Sequence, residues 1–390
     1  VAQKPESNKA QKLRTRAERS RDGELLEAVE AWMALDRTAQ RRLTAEIVES
    51  RAEEIRRAYS AVIGVGYGFR TRGRWTNKGG DRRTVTDEPC VVLMVTRKWR
   101  KRPKTPAALS REVPDHLLAF CDVAGPDGQV RRLCAVPVDV IESADHRASP
   151  QNGVNAERST ARDEDGVRPD DHGSFTALVV PRGGGPTYAV SCFHFAAKSN
   201  DHNLGKPVRR ASFTLKHDSS AGTFGDLSPY MGRLVSPDEL SLDVALVEVR
   251  PGMLDVARRA VGPRRPTRVI PSTDLPPEEV LICVTQDKPP VRARFVIAHK
   301  NFDKISYFPA GYRQPRHSTI WEFEVLKGGP TAGGDSGCAV INGLGDTLLA
   351  IHVAGVGDTK QQTARSFAVP VTFALYGPNI GLQDFLDPIP

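Results

Sequence analysis

Between residues 24 and 59 the apolar side chains Leu25, Leu26, Val29, Met33, Leu35, Leu43, Ile47, Val48 and Ile55 recur at mostly helical intervals, with charges between them and neither Gly nor Pro. The pattern predicts one long helix or two shorter ones within a helical segment spanning residues 23–60. Asp36-Arg37-Thr38 is the natural break, since Asp36 or Thr38 can cap a second helix beginning near Ala39. From Ala61 the period shortens. Residues 62–68, 90–95 and 133–141 read as strands joined by turn-rich or charged stretches, which predicts a small α/β module over residues 61–142. Residues 143–172 have almost no apolar content and read as a linker. Beyond them, short apolar segments at 175–180, 188–192, 242–249, 280–284, 291–297, 321–326, 339–341, 348–353 and 366–371 alternate with Gly and Pro. Many short strands and little helix over residues 173–390 predict a mainly β domain, a barrel or a sandwich.

The chain has 390 residues, of which 39% are hydrophobic and 26% charged, a profile that excludes long disorder and collagen and fits two or three globular domains. Lys and Arg (55) exceed Asp and Glu (47), so the surface leans positive and weakly favours partners with acidic groups. Residues 1–22 carry seven of those cations against three acids, with too little apolar surface to offset ordering, and read as a flexible basic tail. No apolar run approaches the roughly 20 residues a bilayer needs, and no apolar core follows the basic start as in a signal peptide. The expectation is a cytoplasmic protein with no membrane partner. Six cysteines (Cys90, Cys121, Cys134, Cys192, Cys283 and Cys338) stand singly, without metal-ligand spacing. They are expected to be small buried thiols rather than a disulfide framework, with no metal and no cofactor.

The most informative string is Thr331-Ala332-Gly333-Gly334-Asp335-Ser336-Gly337-Cys338, a Ser bounded by glycines and followed by an apolar strand. A nucleophilic Ser needs neighbouring backbone N–H groups for a developing oxyanion and no side chains in the path of a substrate, and the glycines provide both. The alternative is a β-turn carrying a solvated Ser. A Ser also needs a base and an orienting carboxylate. His194 follows the apolar segment 188–192, and Asp243 stands at the mouth of the segment 244–249. The order is therefore His, Asp, Ser. For His194 the competing reading is a packed core histidine.

Residues from about 173 to 375 resemble the chymotrypsin-like, or trypsin-like, serine peptidases. The Gly334-Asp335-Ser336-Gly337 loop is unchanged from the family's, Asp243-Val244-Ala245-Leu246 matches its Asp-Ile-Ala-Leu strand, and Cys192-Phe193-His194-Phe195 loosely matches its Ala-Ala-His-Cys motif. The resemblance implies two six-stranded barrels with a catalytic triad of His194, Asp243 and Ser336 between them, and backbone N–H groups of Gly334 and Ser336 as the oxyanion hole. The substrate would be protein. Thr331 to Gly337 and Ile351 to Gly355 further resemble the bacterial glutamyl endopeptidases, whose matching Thr and His bind a Glu side chain. By that resemblance Thr331 and His352 would set specificity for acidic residues, while Pro330 leaves no acid to hold Lys or Arg.

Departures from the family's pattern matter too. Nothing before Phe175 resembles the activation site whose freed N-terminus pairs with the Asp before the nucleophile, here Asp335. The N-terminal region is therefore expected to regulate or target the peptidase, with an activating protein or ligand bound there. That region resembles the segment preceding the peptidase domain in some bacterial trypsin-like proteins, and the glycines of Gly64-Val65-Gly66-Tyr67-Gly68 read as a turn or strand kink rather than a phosphate loop. Arg97-Lys98-Trp99-Arg100-Lys101-Arg102-Pro103-Lys104 is read as a solvated strand edge, with single-stranded nucleic acid as the less favoured ligand. The expectation is an intracellular bacterial serine endopeptidase. Its rivals are a catalytically silent protease-fold scaffold and a nucleic-acid-binding protein.

Overall fold

The computed structural model describes residues 23–59, 61–72, 75–76, 80–81, 84–95, 113–125, 128–142, 146–147, 156–160, 172–181, 184–198, 211–215, 218–231, 240–262, 266–271, 273–283, 289–303, 305–306, 316–327, 331, 335–356, 364–372 and 386–388. The basic tail and the basic run at 97–104 lie outside the described residues. The periodic N-terminal stretch forms two helices, α1 over residues 23–33 and α2 over Arg37–Ala58. Asp36 separates them as the cap of α2, its Oδ1 accepting the Ala39 N–H at 2.8 Å. The apolar stripe Leu43, Ile47, Val48 and Ile55 packs with Trp32 against Val65, Val91, Leu93 and Val136 of the strands that follow.

The protein is mainly β. Its longer strands are β1 (Val62–Arg72), β2 (Thr84–Val95), β3 (His116–Gly125), β4 (Gly128–Glu142), β5 (Leu178–Pro181), β6 (Tyr188–Ser191), β7 (Ala211–Leu215), β8 (Gly225–Met231) and β9 (Ala245–Val249). They continue with β10 (Glu279–Ile282), β11 (Val291–Phe302), β12 (Arg316–Lys327), β13 (Ala339–Asn342), β14 (Thr347–Val356) and β15 (Ala364–Pro370). The last six form a closed ring: β10 pairs β11, then β12, β15, β14 and β13 follow, and β13 returns to β10. Closure leaves no ring edge to be capped. Strands β5 to β9 lie in an eight-stranded sheet, in the order β5-β6-β9-β8-β7 through its middle. Among the described residues no pairing closes that sheet into a second ring. Its core is a cluster of edge-to-face rings, with Phe175 set 6.0 Å from Phe195, 5.6 Å from Phe213 and 5.5 Å from Phe224. Residues 156–160, within the stretch read as a linker, add a strand outside β7.

The N-terminal strands are joined to the ring by backbone pairing. On one edge β11 pairs with β12 along most of its length. On the other, β10 covers only Val291 to Arg294, and β1 takes over from Ile297 to Lys300. The order β11-β1-β2-β4-β3 thus makes β1 the bridge between the two regions. The glycines of β1 explain the close fit: a Cβ at Gly66 or Gly68 would run into the backbone of Ala298 or Val296. They are contact positions inside a strand, not a turn. Around them, Phe69 is fully buried, with the guanidinium groups of Arg37, Arg41 and Arg294 over its ring at 5.2, 5.5 and 5.6 Å. Ion pairs complete the seam: Arg37 Nε to Glu278 Oε1 at 2.9 Å, Lys300 Nζ to Glu49 Oε1 at 2.6 Å, and Arg294 to the Asp87 carboxylate.

One cysteine expectation is corrected. Cys121 and Cys134 form a disulfide across the β3–β4 hairpin, because antiparallel pairing brings together residues 13 apart in sequence. Cys90, Cys192 and Cys338 are buried free thiols, and Cys283 is half-buried. No helix among the described residues is long and apolar enough to cross a membrane.

The β1–β11 seam generates a stability prediction. Gly68→Val forces a branched side chain against the Val296 backbone and should destabilise the protein by about 1–3 kcal/mol. Thermal unfolding and limited proteolysis would read this as a lower midpoint and earlier cleavage within α2. An unchanged midpoint would show that the glycines are not what permits the close approach.

Candidate active site

Strands β6 and β9 are neighbours, with Ser191 opposite Ala245. Following that register past the strand ends brings the residues after Ser191 level with those before Ala245, so His194 and Asp243 meet. His194 opens a short π-helical turn, His194–Lys198, a geometry that recurs at functional sites. Its Nδ1 lies 2.7 Å from Asp243 Oδ2, and its backbone N–H donates to Asp243 Oδ1 at 2.9 Å. Asp243 is fully buried and His194 nearly so. Burial acting alone would lower the His194 pKa. The Asp243 charge, with further help from Cys192, outweighs it and holds the imidazole well above its ordinary value. The same pairing outweighs desolvation at Asp243 and keeps that carboxyl below its usual range.

Ser336 sits in a loop fixed from two sides. The Ser174 N–H donates to the Ser336 carbonyl at 3.0 Å, Thr176 Oγ1 donates to the Gly337 carbonyl at 2.6 Å, and Ser191 Oγ donates to the Ser174 carbonyl at 2.7 Å. From the other side, the Gly337 N–H donates to the His352 carbonyl at 2.8 Å, and the His352 N–H donates to the Cys338 carbonyl at 3.0 Å. Gly337 has φ +91°, and a Cβ there would meet the Ser174 carbonyl and the Ser191 hydroxyl, so conformation and space both require glycine. The Gly337 N–H is consumed by its bond to His352 and the Cys338 N–H donates to the Asp335 carbonyl at 3.0 Å, whereas the Ser336 N–H has no partner among the described residues. The Ser336 hydroxyl donates to the Val353 carbonyl at 3.2 Å. His194 Nε2 lies 3.7 Å from Cys192 Sγ.

Thr331 and His352 are both buried. The Thr331 hydroxyl rests against Gly355, where a Cβ would occupy its place. His352 Nδ1–H donates to the Asp335 carbonyl at 3.2 Å. Among the described residues Thr331 Oγ1 and His352 Nε2 have no hydrogen-bond partners, which is uncommon for buried polar atoms. Gly334, the other expected oxyanion donor, lies outside the described residues, as does Pro330.

Sequence reasoning did not single out His317, a buried residue of β12. Burial pushes its pKa down to about 4, with the nearby Asp243 charge opposing and His194 adding to the depression. His317 comes near the Asp243 pair because Ser241, two residues before Asp243, lies opposite it in a parallel pairing. No local signal marks that contact. The roles of Ser174, Thr176 and Ser191 as fasteners of the nucleophile loop were equally invisible, since each acts on a segment far away in sequence.

No family model matches this chain, and no curated protein matches it. Among solved structures it is similar to a glutamic acid specific serine protease that utilizes a novel histidine triad in substrate binding. The identity is 14% and the TM-score 0.35, over 60% of this chain and 97% of that one. A likeness that low carries no weight for what this chain does.

The two buried neutral histidines generate a pH prediction. Burial holds both His317 and His352 at about 4, below the ordinary 6.5, so the unfolded chain binds more protons between those values. Their stabilisation is fully present above pH 6.5 and is lost as the pH falls toward 4, by about 3 kcal/mol each. Denaturant unfolding across that range should show the decline, and His317→Asn should remove part of the slope. A flat profile would contradict it.

Proposed function

We propose that the chain is a serine endopeptidase working through an acyl-enzyme, with Ser336 as nucleophile, His194 as general base and Asp243 as the orienting carboxylate. The observation that carries this reading is the buried His194–Asp243 pair. Both carboxylate oxygens hold His194, one through Nδ1–H and one through its backbone N–H, which fixes the tautomer and leaves Nε2 to take a proton. The Ser336 N–H, which has no partner among the described residues, supports an oxyanion hole shared with Gly334. In this mechanism the Ser336 hydroxyl leaves its 3.2 Å bond to Val353, which is long for O–H···O, and attacks the scissile carbonyl as its proton passes to Nε2. His194 returns the proton to the leaving amine, then activates the water that releases the acyl group. Residues 173–390 would form the catalytic domain as a two-barrel peptidase. The N-terminal region would regulate it through the β1–β11 pairing.

The nearly complete burial of Ser336 and its bond to Val353 favour a second reading, a catalytically silent scaffold. Fluorophosphonate labelling separates the two. Labelled Ser336, together with a fall of about four to six orders of magnitude in turnover for Ser336→Ala, is expected of the peptidase. Hydrolysis retained in the purified variant would remove the assignment.

The specificity proposed is for acidic residues before the scissile bond. Thr331 Oγ1 and His352 Nε2 are desolvated and have no partner among the described residues, and a carboxylate reaching them would satisfy both while drawing the imidazole toward its protonated form. In a peptide library the wild type should prefer Glu or Asp at that position. His352→Ala should lose roughly 10- to 100-fold of the preference for Glu over Gln, the worth of a charge-assisted hydrogen bond. Cleavage mainly after Lys, Arg or large apolar residues would refute the pocket.

A further inference from the structure

We propose that His194 and Cys192 form a binding site for one thiophilic divalent cation, of which Zn²⁺ is the representative, and that the bound ion blocks proton transfer at His194. The binding claim is independent of the proposed function. The blocking claim rests on the reading of His194 as general base.

Cys192, His194 and Asp243 are all buried, and each offers a ligand atom within 4.8 Å of the others. Among the described residues no other His, Cys, Asp and Glu side chains come together in this way. The sulfur and Nε2 are 3.7 Å apart. A tetrahedral zinc ion, with bonds of about 2.3 Å to sulfur and about 2.0–2.1 Å to nitrogen, holds such atoms about 3.6 Å apart. The two side chains are therefore already spaced for a shared ion. Asp243 takes the outer role: its Oδ2 holds Nδ1–H at 2.7 Å and its Oδ1 the backbone N–H at 2.9 Å, which orients the ring with Nε2 toward the Cys192 sulfur. Carboxylate, imidazole and metal then lie in sequence, the arrangement that raises ligand basicity.

Sulfur paired with imidazole favours Zn²⁺ or Cd²⁺ and discriminates against Mg²⁺ and Ca²⁺, which prefer oxygen. On binding, the Cys192 thiol releases its proton to solvent and the hydrated ion gives up two waters, keeping water at its remaining positions. Nε2 then has no lone pair to receive the Ser336 proton.

The test uses the full chain, stripped of metal and titrated with Cd²⁺ while thiolate-to-metal charge-transfer absorption is recorded. One Cd²⁺ per chain is expected, displaced by Zn²⁺ and not by Mg²⁺. Cys192→Ser and Cys192→Ala, each with a native-like unfolding transition, should bind Zn²⁺ at least roughly tenfold more weakly, a difference of about 1.4 kcal/mol. In hydrolysis assays, Zn²⁺ should inhibit the wild type over the same range in which it binds, and each variant, scaled to its own metal-free rate, only at correspondingly higher concentration. Absorption that is absent, or unchanged in both folded variants, overturns the site. Zn²⁺ binding at Cys192 without inhibition of an active enzyme overturns the blocking. A chain inactive on every peptide would sink the peptidase reading and leave the absorption result standing.

Discussion

A carboxylate cut off from water is tolerated only where other donors take the water's place, and Asp243 is such a group. Its two donors both belong to His194, one on the ring and one on the backbone. Satisfying Asp243 therefore sets where the turn after β6 must run and which way the imidazole faces. Removing either member would strand the other, at a cost of about 3–5 kcal/mol for a broken buried pair. The geometry that solvates the carboxylate also aims Nε2 away from it.

The loop around Ser336 follows a different principle. It holds its shape through hydrogen bonds to segments on both sides, the stretch around Ser174 and Thr176 and the strand β14. Gly337 makes that possible by combining a left-handed conformation with the absence of a side chain. Polar groups used as fasteners are satisfied, whereas the Ser336 N–H, Thr331 Oγ1 and His352 Nε2 have no hydrogen-bond partner among the described residues. Unmet hydrogen-bonding capacity in a buried region is costly.

The long strand β11 connects this region to the N-terminal part. One of its edges is occupied first by β10 and then by β1. Its side chains alternate in role: Lys300 reaches out to Glu49 of α2, whereas His299 turns inward to Glu322 at 2.8 Å. Glu322 in turn lies 3.7 Å from the fully buried Arg365 of β15, which neighbours β14. A single strand thus carries the docking surface on one face and a paired buried charge cluster on the other. Tilting β1 would be felt by both.

Periodicity alone made much of the architecture legible. The helical repeat up to Tyr59, broken at Asp36, and the short apolar runs of the remainder state which residues must be buried and at what spacing, and that is a local property of the chain. The Gly334-Asp335-Ser336-Gly337 string is legible for the same reason, since a tight turn needs its glycines where it turns. Partnership is a different matter. Nothing near Asp243 names His317 as its neighbour, nothing near Cys121 names Cys134, and the glycines of β1 do not say that the backbone at Val296 and Ala298 lies against them. Those pairings arise when strands distant in sequence register with one another. Local composition determined the elements of this protein and the residue types of its site; tertiary structure decided which side chains meet, because register and burial belong to the assembled sheet and not to any segment of it.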